Sequence, residues 1–341
     1  MSDKFLPPIM ILGSERSGTN LLRALLSTHS KIASPPPAGF IDALGGIQSR
    51  YFPSGRSSYL SELIDDVVVL TKTHLNPWDI DLNSEVIKAK LKNASLWEVF
   101  RVVNEIYAEE YGRPCWCSKE PGLFKYIFEI AEHLPNAKFV YLVRDGRDVA
   151  ASMLRGHLHE FHVYFAAQNW AWTQRHCLSA LADPAVSERI YLLKYENLID
   201  SPEDVMRDLM RFIGLEFEES QLQYYRNKNV LEHAKRSRFW KNLAHPINRK
   251  NKGEYKDNLG VKNIEIFESV AWREMEALGY PVDSSHKITF TDFDIRLYRT
   301  IAFLRKKFWS MDPRAEAFRI RARVKVTHEI INRKVIGSNG I

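Results

Sequence analysis

The sequence contains no apolar run of the roughly 18–20 residues that span a bilayer, and no apolar signal-peptide core precedes Pro7 and Pro8. Its three cysteines are too few for a disulfide framework. Cys115, Cys117 and Cys177 also lack the paired spacing of a zinc site. We therefore expect a cytoplasmic protein with reduced, structural thiols and no bound metal.

An excess of charge of one sign is confined to the last segment of the chain. The net charge is +6, from 48 basic and 42 acidic residues, and residues 285–341 hold 13 basic residues against 5 acidic ones. Residues 1–284 are therefore about neutral. The 45% hydrophobic content excludes disorder. We find no internal repeat and no long linker, and predict a single domain over 1–284 with a helical insertion at about 41–113. A basic, mainly helical extension is expected over 285–341.

Short apolar segments alternate with helical patterns in the first domain. Residues 9–12, 137–143 and 189–193 are almost wholly apolar, which is typical of strands buried on both faces of a parallel sheet. Helical periodicity follows the first segment and precedes the second. The pattern predicts an α/β fold, with three layers around a central parallel sheet and a loop of the P-loop type.

The first glycine loop lacks the lysine of a nucleotide hydrolase. Gly13 to Asn20 has the glycine spacing of a P-loop between a strand and a helix, where backbone N–H groups and the helix dipole attract anions. The residue after Gly18, however, is Thr19, where a Walker A loop needs lysine, and Arg16 is the loop's only cation. The motif predicts an anion site and disfavours ATP or GTP hydrolysis.

The strand at 137–143 is not followed by the acid that holds magnesium in a Walker B motif. It is followed instead by Arg144, and Ser152 comes two helical turns later. A guanidinium and a hydroxyl so placed can converge on one anion. We interpret Arg147 as a surface or ion-pair residue and Asp148 as an acid in the first turn of a helix.

Together these segments resemble the sulfotransferases that use 3′-phosphoadenosine-5′-phosphosulfate (PAPS), and the bacterial and tyrosylprotein-like members in particular. The family motif R-S-G-T-T is present as Arg16–Asn20, and its second motif, an Arg with a Ser eight residues later, as Arg144 and Ser152. Residues 117–121 and 193–198 match further motifs, and Lys119 precedes Arg144 by the family's interval of about 25 residues. The resemblance covers roughly residues 8–280.

The resemblance implies transfer of a sulfuryl group from PAPS to a hydroxyl or amine, with release of adenosine 3′,5′-bisphosphate (PAP). A sulfuryl group carries less charge than a γ-phosphoryl group, so fixed cations can suffice without magnesium. The implied 5′-phosphosulfate contacts are Arg16, Ser17, Gly18, Thr19 and Asn20. The other implied donor contacts are Arg144 and Ser152 at the 3′-phosphate, Tyr195 at the adenine, and Arg249 and Lys250 in a late basic loop. Arg249 and Lys250 fit a solvated charge run equally well.

The general base is the least defined element of the resemblance. Arg16 and Lys119 fit stabilisation of the leaving oxygen, but the family's usual glutamate has no counterpart in residues 34–39. Lys72-Thr-His74 mimics the Lys-Thr-His motif of small-molecule sulfotransferases, although it lies some 70 residues before Arg144. We take His74 as the candidate base, with an ordinary loop histidine as the alternative. The weaker candidates are Asp42, Glu120, His157, His159 and His162.

Two other classes of function remain as alternatives. A P-loop nucleotide kinase is disfavoured by Thr19 and Arg144, and a non-catalytic anion-binding protein of the membrane surface is suggested by the basic extension. There, Leu297, Ile301, Leu304 and Phe308 form a helical stripe flanked by arginines and lysines, which fits either an anionic membrane or packing on the domain. Residues 319–326 alternate with the period of a strand but follow a helix-start signal. No nucleic-acid-reading motif accompanies the charge, and neither the acceptor nor the oligomeric state is predicted.

Overall fold

A computed structural model describes residues 5–52, 59–156, 160–283, 287–310 and 315–333. Within them, one all-parallel sheet has the strand order β2-β3-β1-β4-β5. The strands are β1 (Ile9–Leu12), β2 (Ile32–Ala33), β3 (Cys115–Ser118), β4 (Lys138–Val143) and β5 (Ile190–Lys194).

Helices make up most of the remaining described structure. The α-helices are α1 (Thr19–Ser27), α2 (Phe40–Leu44), α3 (Leu60–Thr73), α4 (Ser84–Lys90), α5 (Leu96–Glu110), α6 (Ile127–His133), α7 (Gly146–Gly156), α8 (Val163–Ala182), α9 (Tyr195–Asp200), α10 (Pro202–Ile213), α11 (Lys228–Arg236), α12 (Tyr255–Asn258), α13 (Val261–Ala277), α14 (Asp292–Ser310) and α15 (Ala315–Asn332). Short 3₁₀ helices cover Gly45–Arg50, Leu123–Tyr126, Ser187–Arg189, Glu219–Gln221, Tyr224–Arg226 and Lys241–Ala244.

The sheet is the middle layer of three, which explains why its strands are continuously apolar. Along β1, Ile9 and Ile11 face a core formed with α1, α9, α10 and α11, whereas Met10 and Leu12 face a core formed with α5, α7, α8 and α13. Because successive side chains of a strand point to opposite faces, both sets must be apolar. The predicted three-layer α/β architecture is confirmed.

The strand order brings the sequence motifs to one edge of the sheet. β1 lies between β3 and β4, so the segments that follow these strands begin side by side at Gly13, Lys119 and Arg144. Tyr195 follows β5 at the same edge. Ligands of open α/β sheets bind beyond the carboxyl ends of the strands, where the chain leaves in opposite directions from neighbouring strands.

Residues beyond the strands pack closely on this body. Helix α5 lies against the sheet near β3, where Phe100 contacts Trp116 with ring centroids 5.6 Å apart. The alternating residues 319–326, which fitted either a strand or a helix, are helical within α15. In α15, Ile330 is buried, and just beyond it Arg333 pairs with Asp66 at 3.0 Å. All three cysteines are buried and unpaired, as expected. None of the described helices is long and apolar enough to cross a membrane.

Candidate functional site

The first glycine loop joins β1 to the N-terminus of α1 in a conformation that its glycines permit. Gly18 precedes the helix with φ +93°, and a Cβ at this position would lie 2.5 Å from the Tyr195 ring. Gly18 is therefore required both for its backbone conformation and for its contact with the aromatic face. The Ser17 hydroxyl is buried and lies 2.6 Å from the Ser14 hydroxyl, so it fixes the shape of the loop from inside.

Arg144 leaves the end of β4 and turns back toward this loop. Its Nη1 donates to the carbonyl of Arg16 at 3.2 Å, and its Nη2 donates to the carbonyl of Asn251 at 2.9 Å. The guanidinium lies 4.6 Å from the centroid of the Tyr195 ring. Its Nε is buried without a hydrogen-bond partner among the described residues. A buried donor without a partner is costly, which marks this cation as one prepared for an anionic ligand.

Ser152 and Arg16 complete the cluster around Arg144. Ser152 lies on α7 and accepts a hydrogen bond from Nε of Arg16 at 3.1 Å. Arg16 itself has φ +67°, an uncommon backbone conformation for a residue with a side chain. The structure therefore brings together the two arginines and the serine that the sequence singled out, although the serine contacts Arg16.

A cavity of about 420 Å³ opens between the first loop and Arg144. This volume lies within the range of ligand sites in proteins. Six of the predicted donor contacts line it, and residues 239–251 supply the opposite wall. The predicted residues in the lining are Arg16, Gly18, Thr19, Asn20, Arg144 and Tyr195, and the wall includes Phe239, Trp240, Asn242, Asn248 and Asn251.

Asparagines of the late loop, rather than its cations, face the cavity. Arg249 and Lys250 are exposed and do not belong to the lining, whereas Asn248 and Asn251 do. The Asn251 amide donates to the Tyr195 hydroxyl at 2.8 Å, while its carbonyl accepts from Arg144. The loop thus reaches the site mainly through Asn251, and the role implied for Arg249 and Lys250 stays a prediction.

Asp148 anchors this loop and does more than begin a helix. Its carboxylate accepts backbone N–H groups of Gly253 at 2.8 Å and Tyr255 at 2.9 Å. It is buried in the first turn of α7 and lies 3.8 Å from Arg144. The prediction of an acid in the first helical turn is therefore incomplete, because Asp148 also binds the backbone of the late loop.

Arg147 forms ion pairs, which was one of the two predicted roles, but it does so in the interior and not on the surface. It is 1% exposed and binds Asp145 at 2.8 Å, Glu268 at 2.6 Å and Asp283 at 3.0 Å. Tyr255 lies under the guanidinium at 4.1 Å. This network ties the turn after β4 to α13 and so fixes the position from which Arg144 projects.

Lys119 and Glu120 directly follow β3. Lys119 is buried, and burial lowers the pKa of its ammonium, although Glu15 and Glu120 oppose the shift. Glu120 accepts the backbone N–H of Gly39 at 2.7 Å and that of Ala38. Burial raises the pKa of Glu120 to about 7 despite these donors. A carboxylate therefore does contact residues 38 and 39, although residues 34–39 contain none, and it is supplied by the segment that follows β3.

His74 lies just beyond the end of α3, close to the same region. Its Nδ1 accepts the backbone N–H of Asn76 at 3.2 Å, and its ring lies 6.2 Å from that of Trp240 in the cavity wall. Burial, together with the charges of Arg323 and Lys119, lowers the pKa of His74 to about 4. The imidazole is thus neutral at pH 7, and it is a weak base.

Arg323 reaches this region from α15. Its Nη2 donates to the Ala38 carbonyl at 2.6 Å, and its Nη1 donates to the Leu70 carbonyl at 3.0 Å and the Thr73 hydroxyl at 2.7 Å. The Ala38 peptide is consequently held from both sides, with its N–H on Glu120 and its carbonyl on Arg323. The C-terminal extension therefore contributes a side chain to the region around Lys119, Glu120 and His74.

The weaker candidates for the base have other roles in the structure or lie outside it. Asp42 forms a half-exposed ion pair with Lys125 at 2.6 Å. His162 precedes α8, where its ring accepts the N–H of Tyr164 and stacks on Tyr298. His157 and His159 lie outside the described residues.

Sequence motifs did not indicate Trp240, Asn251, Asp148 or Arg323 as site residues. Trp240 follows Phe239 in an unpatterned basic stretch, and Arg323 is one of four basic residues in 319–325. Only the pairing of Asp148 with the late loop and the packing of α15 bring them to the site. These residues are close only in space and not in sequence, so a motif search could not have found them.

The chain belongs to the sulfotransferase family, because the family model described as "Sulfotransferase family" matches residues 7–219. It is 26% identical over 235 residues to protein-tyrosine sulfotransferase 1 of Danio rerio, in a match that covers 65% of this chain and 57% of that protein. The sulfotransferase domain from the curacin biosynthetic pathway is 26% identical, with a TM-score of 0.56 over 82% of this chain and 99% of that one.

A second solved structure shares the fold. The sulfotransferase domain of the Synechococcus PCC 7002 olefin synthase is 21% identical, with a TM-score of 0.53 over 82% of this chain and 98% of that one. The matches of this chain span 28%, 57% and 40% of the length of three curated relatives. Family membership and a sulfotransferase fold are therefore established.

Proposed function

We propose that the protein transfers a sulfuryl group from PAPS to a hydroxyl or amine of an acceptor and releases PAP. One observation carries the proposal. Arg16 and Arg144 follow adjacent strands and line one cavity together with Tyr195. PAPS carries a 5′-phosphosulfate and a separate 3′-phosphate, so it needs two anion-binding positions joined by a surface for adenine.

The residues around the cavity fit this donor. The loop at Ser17–Asn20 and Arg16 would hold the 5′ end at the N-terminus of α1, where backbone N–H groups favour an anion. Arg144 would bind the 3′-phosphate, since its buried Nε has no partner among the described residues. Tyr195 and Trp240 supply aromatic faces for the adenine. Ser152 would act through Arg16, which it contacts.

The transfer requires one bond to break and one to form at sulfur. The acceptor oxygen or nitrogen bonds to sulfur and loses its proton, while the bond from sulfur to the bridging oxygen breaks and PAP leaves with the electron pair. Arg16 and Lys119 are the cations proposed to stabilise that oxygen. Because these charges are fixed in the protein, we propose that the reaction proceeds without a metal ion.

The proton acceptor is proposed to be one of two residues. His74 is the candidate from its motif, and Glu120 is the candidate favoured by its pKa, because a general base works best when its pKa is near the working pH. Arg323 would be a positioning residue for both, since it holds Ala38 and the end of α3. The acceptor remains open among carbohydrates, lipids, small molecules and tyrosine.

Ligand stabilisation of the full chain tests the donor. We expect PAP to raise the melting temperature more than ADP with magnesium does, because ADP lacks the 3′-phosphate. Equal or greater stabilisation by ADP with magnesium would contradict the proposal and favour a nucleotide kinase. Transfer of labelled sulfate from PAPS into a cell extract, followed by identification of the labelled product, would then identify the acceptor.

A further inference from the structure

Helix α14 is fixed to the body of the protein along one side. Tyr298 stacks on His162 with ring centroids 4.2 Å apart and an angle of 20° between the planes. Nη1 of Arg305 donates to the carbonyl of Phe161 at 3.0 Å, and Ile295 packs against the core. The orientation of the helix is therefore set by contacts with the segment that leads into α8.

The other side of α14 exposes large apolar side chains to solvent. Phe293 is 73% exposed, Leu297 44%, Leu304 47% and Phe308 76%. At 3.6 residues per turn these four positions fall within an arc of about 60°, so they form one stripe along the helix. Four of the five exposed phenylalanines in the described chain belong to α14 and α15. Such a concentration of exposed apolar side chains is typical of a contact surface.

Basic residues accompany this stripe over most of its length, whereas Asp292 and Asp294 flank Phe293 in the first turn of α14. From Ile295 to Ser310 the sequence has five arginines or lysines and no aspartate or glutamate. Arg296 and Arg299 are exposed, as is Lys306 near the C-terminal end of the stripe. From Ile295 onward, a helix with an apolar stripe and charges of positive sign only is complementary to an anionic lipid surface, where the rings enter the acyl boundary and the cations meet phosphate groups.

We propose that α14 binds the protein peripherally to anionic membranes through Phe293, Leu297, Leu304 and Phe308. The contact requires no change of fold, because the stripe already faces outward while the opposite side of α14 holds it on the body. This membrane contact does not involve the proposed donor site, so its test does not depend on the proposed sulfuryl transfer.

Co-sedimentation of the full chain with vesicles tests the proposal. We expect binding to vesicles of phosphatidylcholine mixed with phosphatidylglycerol at low salt, weaker binding at high salt, and little binding to phosphatidylcholine alone. The double variant Phe293→Ser and Phe308→Ser should bind at least about tenfold more weakly, because two ring contacts with the acyl boundary are lost. Val261→Ser, which removes a 74% exposed apolar side chain from α13, should bind as the wild type does.

A second pair of variants separates the specific helix from the net charge. Arg296→Gln with Arg299→Gln should weaken binding about 30-fold, since each cation near an anionic surface contributes roughly fivefold. Lys88→Gln with Lys228→Gln removes the same charge from other exposed sites and should have little effect. Equal losses in the two pairs would overturn the proposal.

Two further results would also overturn it. One is absence of vesicle binding by the full chain at low salt. The other is a dimer in solution that Phe293→Ser with Phe308→Ser dissociates, since the stripe would then be an interface between two copies. Unchanged melting temperatures of all variants, measured in parallel, would show that the losses do not come from unfolding.

Discussion

Replacement of Arg144 by alanine should weaken the binding of PAP far more than the binding of AMP. AMP lacks the 3′-phosphate that Arg144 is proposed to bind, so a comparison of the two ligands isolates that contact. The guanidinium donates to two carbonyls, and its buried Nε has no partner in the described structure. This N–H group can therefore still donate a hydrogen bond to a ligand.

The expected magnitude follows from the type of contact. A hydrogen bond to a charged group contributes about 1.5–3 kcal/mol, which corresponds to a loss of roughly ten- to 150-fold in PAP affinity. AMP affinity should fall much less than PAP affinity, because its only loss is indirect, through the hydrogen bond of Arg144 to the Arg16 carbonyl and its contact with the Tyr195 ring. Isothermal titration calorimetry of both ligands measures the difference directly.

Two further variants control this experiment. Arg207→Gln removes a half-exposed cation that pairs with Glu203 on the surface, and it should leave both affinities unchanged. Arg144→Lys keeps the charge without the planar fork, so it should retain part of the preference for PAP. If Arg144→Ala weakened PAP and AMP equally, Arg144 would not bind the 3′-phosphate, and the assignment of the two anion positions would be wrong.

Three other predictions follow from the structure. With an acceptor in hand, the rate should rise with pH through about 7 if Glu120 is the base, because the carboxylate must lose its proton first, whereas a midpoint near 4 would indicate His74. Arg147→Met should lower the free energy of unfolding by about 3–5 kcal/mol in denaturant titrations, since it leaves buried carboxylates without their cation, and a change below 1 kcal/mol would refute a structural role for this network. Arg323→Gln should increase hydrogen exchange at residues 38–41 and 68–76 without changing PAP affinity, because the Ala38 and Leu70 carbonyls lose their donor. Lys325→Gln on the exposed side of α15 should leave the exchange unchanged, and equal exchange in both variants would show that Arg323 does not hold these segments.

The motifs of the first loop and of β4 were sufficient to predict the parallel sheet and the meeting of Arg16 and Arg144 at one edge of it. Continuous apolar runs are compatible with a strand only when both faces are covered, so the three layers follow from local pattern. The predicted anion sites at the strand ends also rest on local pattern. In each motif an arginine lies within a few residues of a helix N-terminus, whose backbone N–H groups attract anions. Arg16 and Arg144 could thus be assigned to one site before their distance was known.

The region around Lys119, Glu120 and His74 could not be derived in this way, because it is assembled from segments distant in sequence. Glu120 accepts the backbone N–H groups of Ala38 and Gly39, and it follows β3 about 80 residues later in the chain. Arg323 reaches the same peptide from a helix some 280 residues away. Buried backbone groups must find partners, but any side chain that reaches them can supply one, so sequence spacing does not decide which.

The amino-acid sequence by itself determined the layered fold, the two turns that carry Arg16 and Arg144, and the uneven charge, since each depends on neighbouring residues. Only the tertiary structure decided that Asp148 anchors the late loop, that Arg147 is buried in an ion network, and that α15 packs on the body while α14 exposes an apolar stripe. These outcomes depend on which elements pack together. Periodicity marks a face as apolar, whereas packing determines whether that face becomes core or surface.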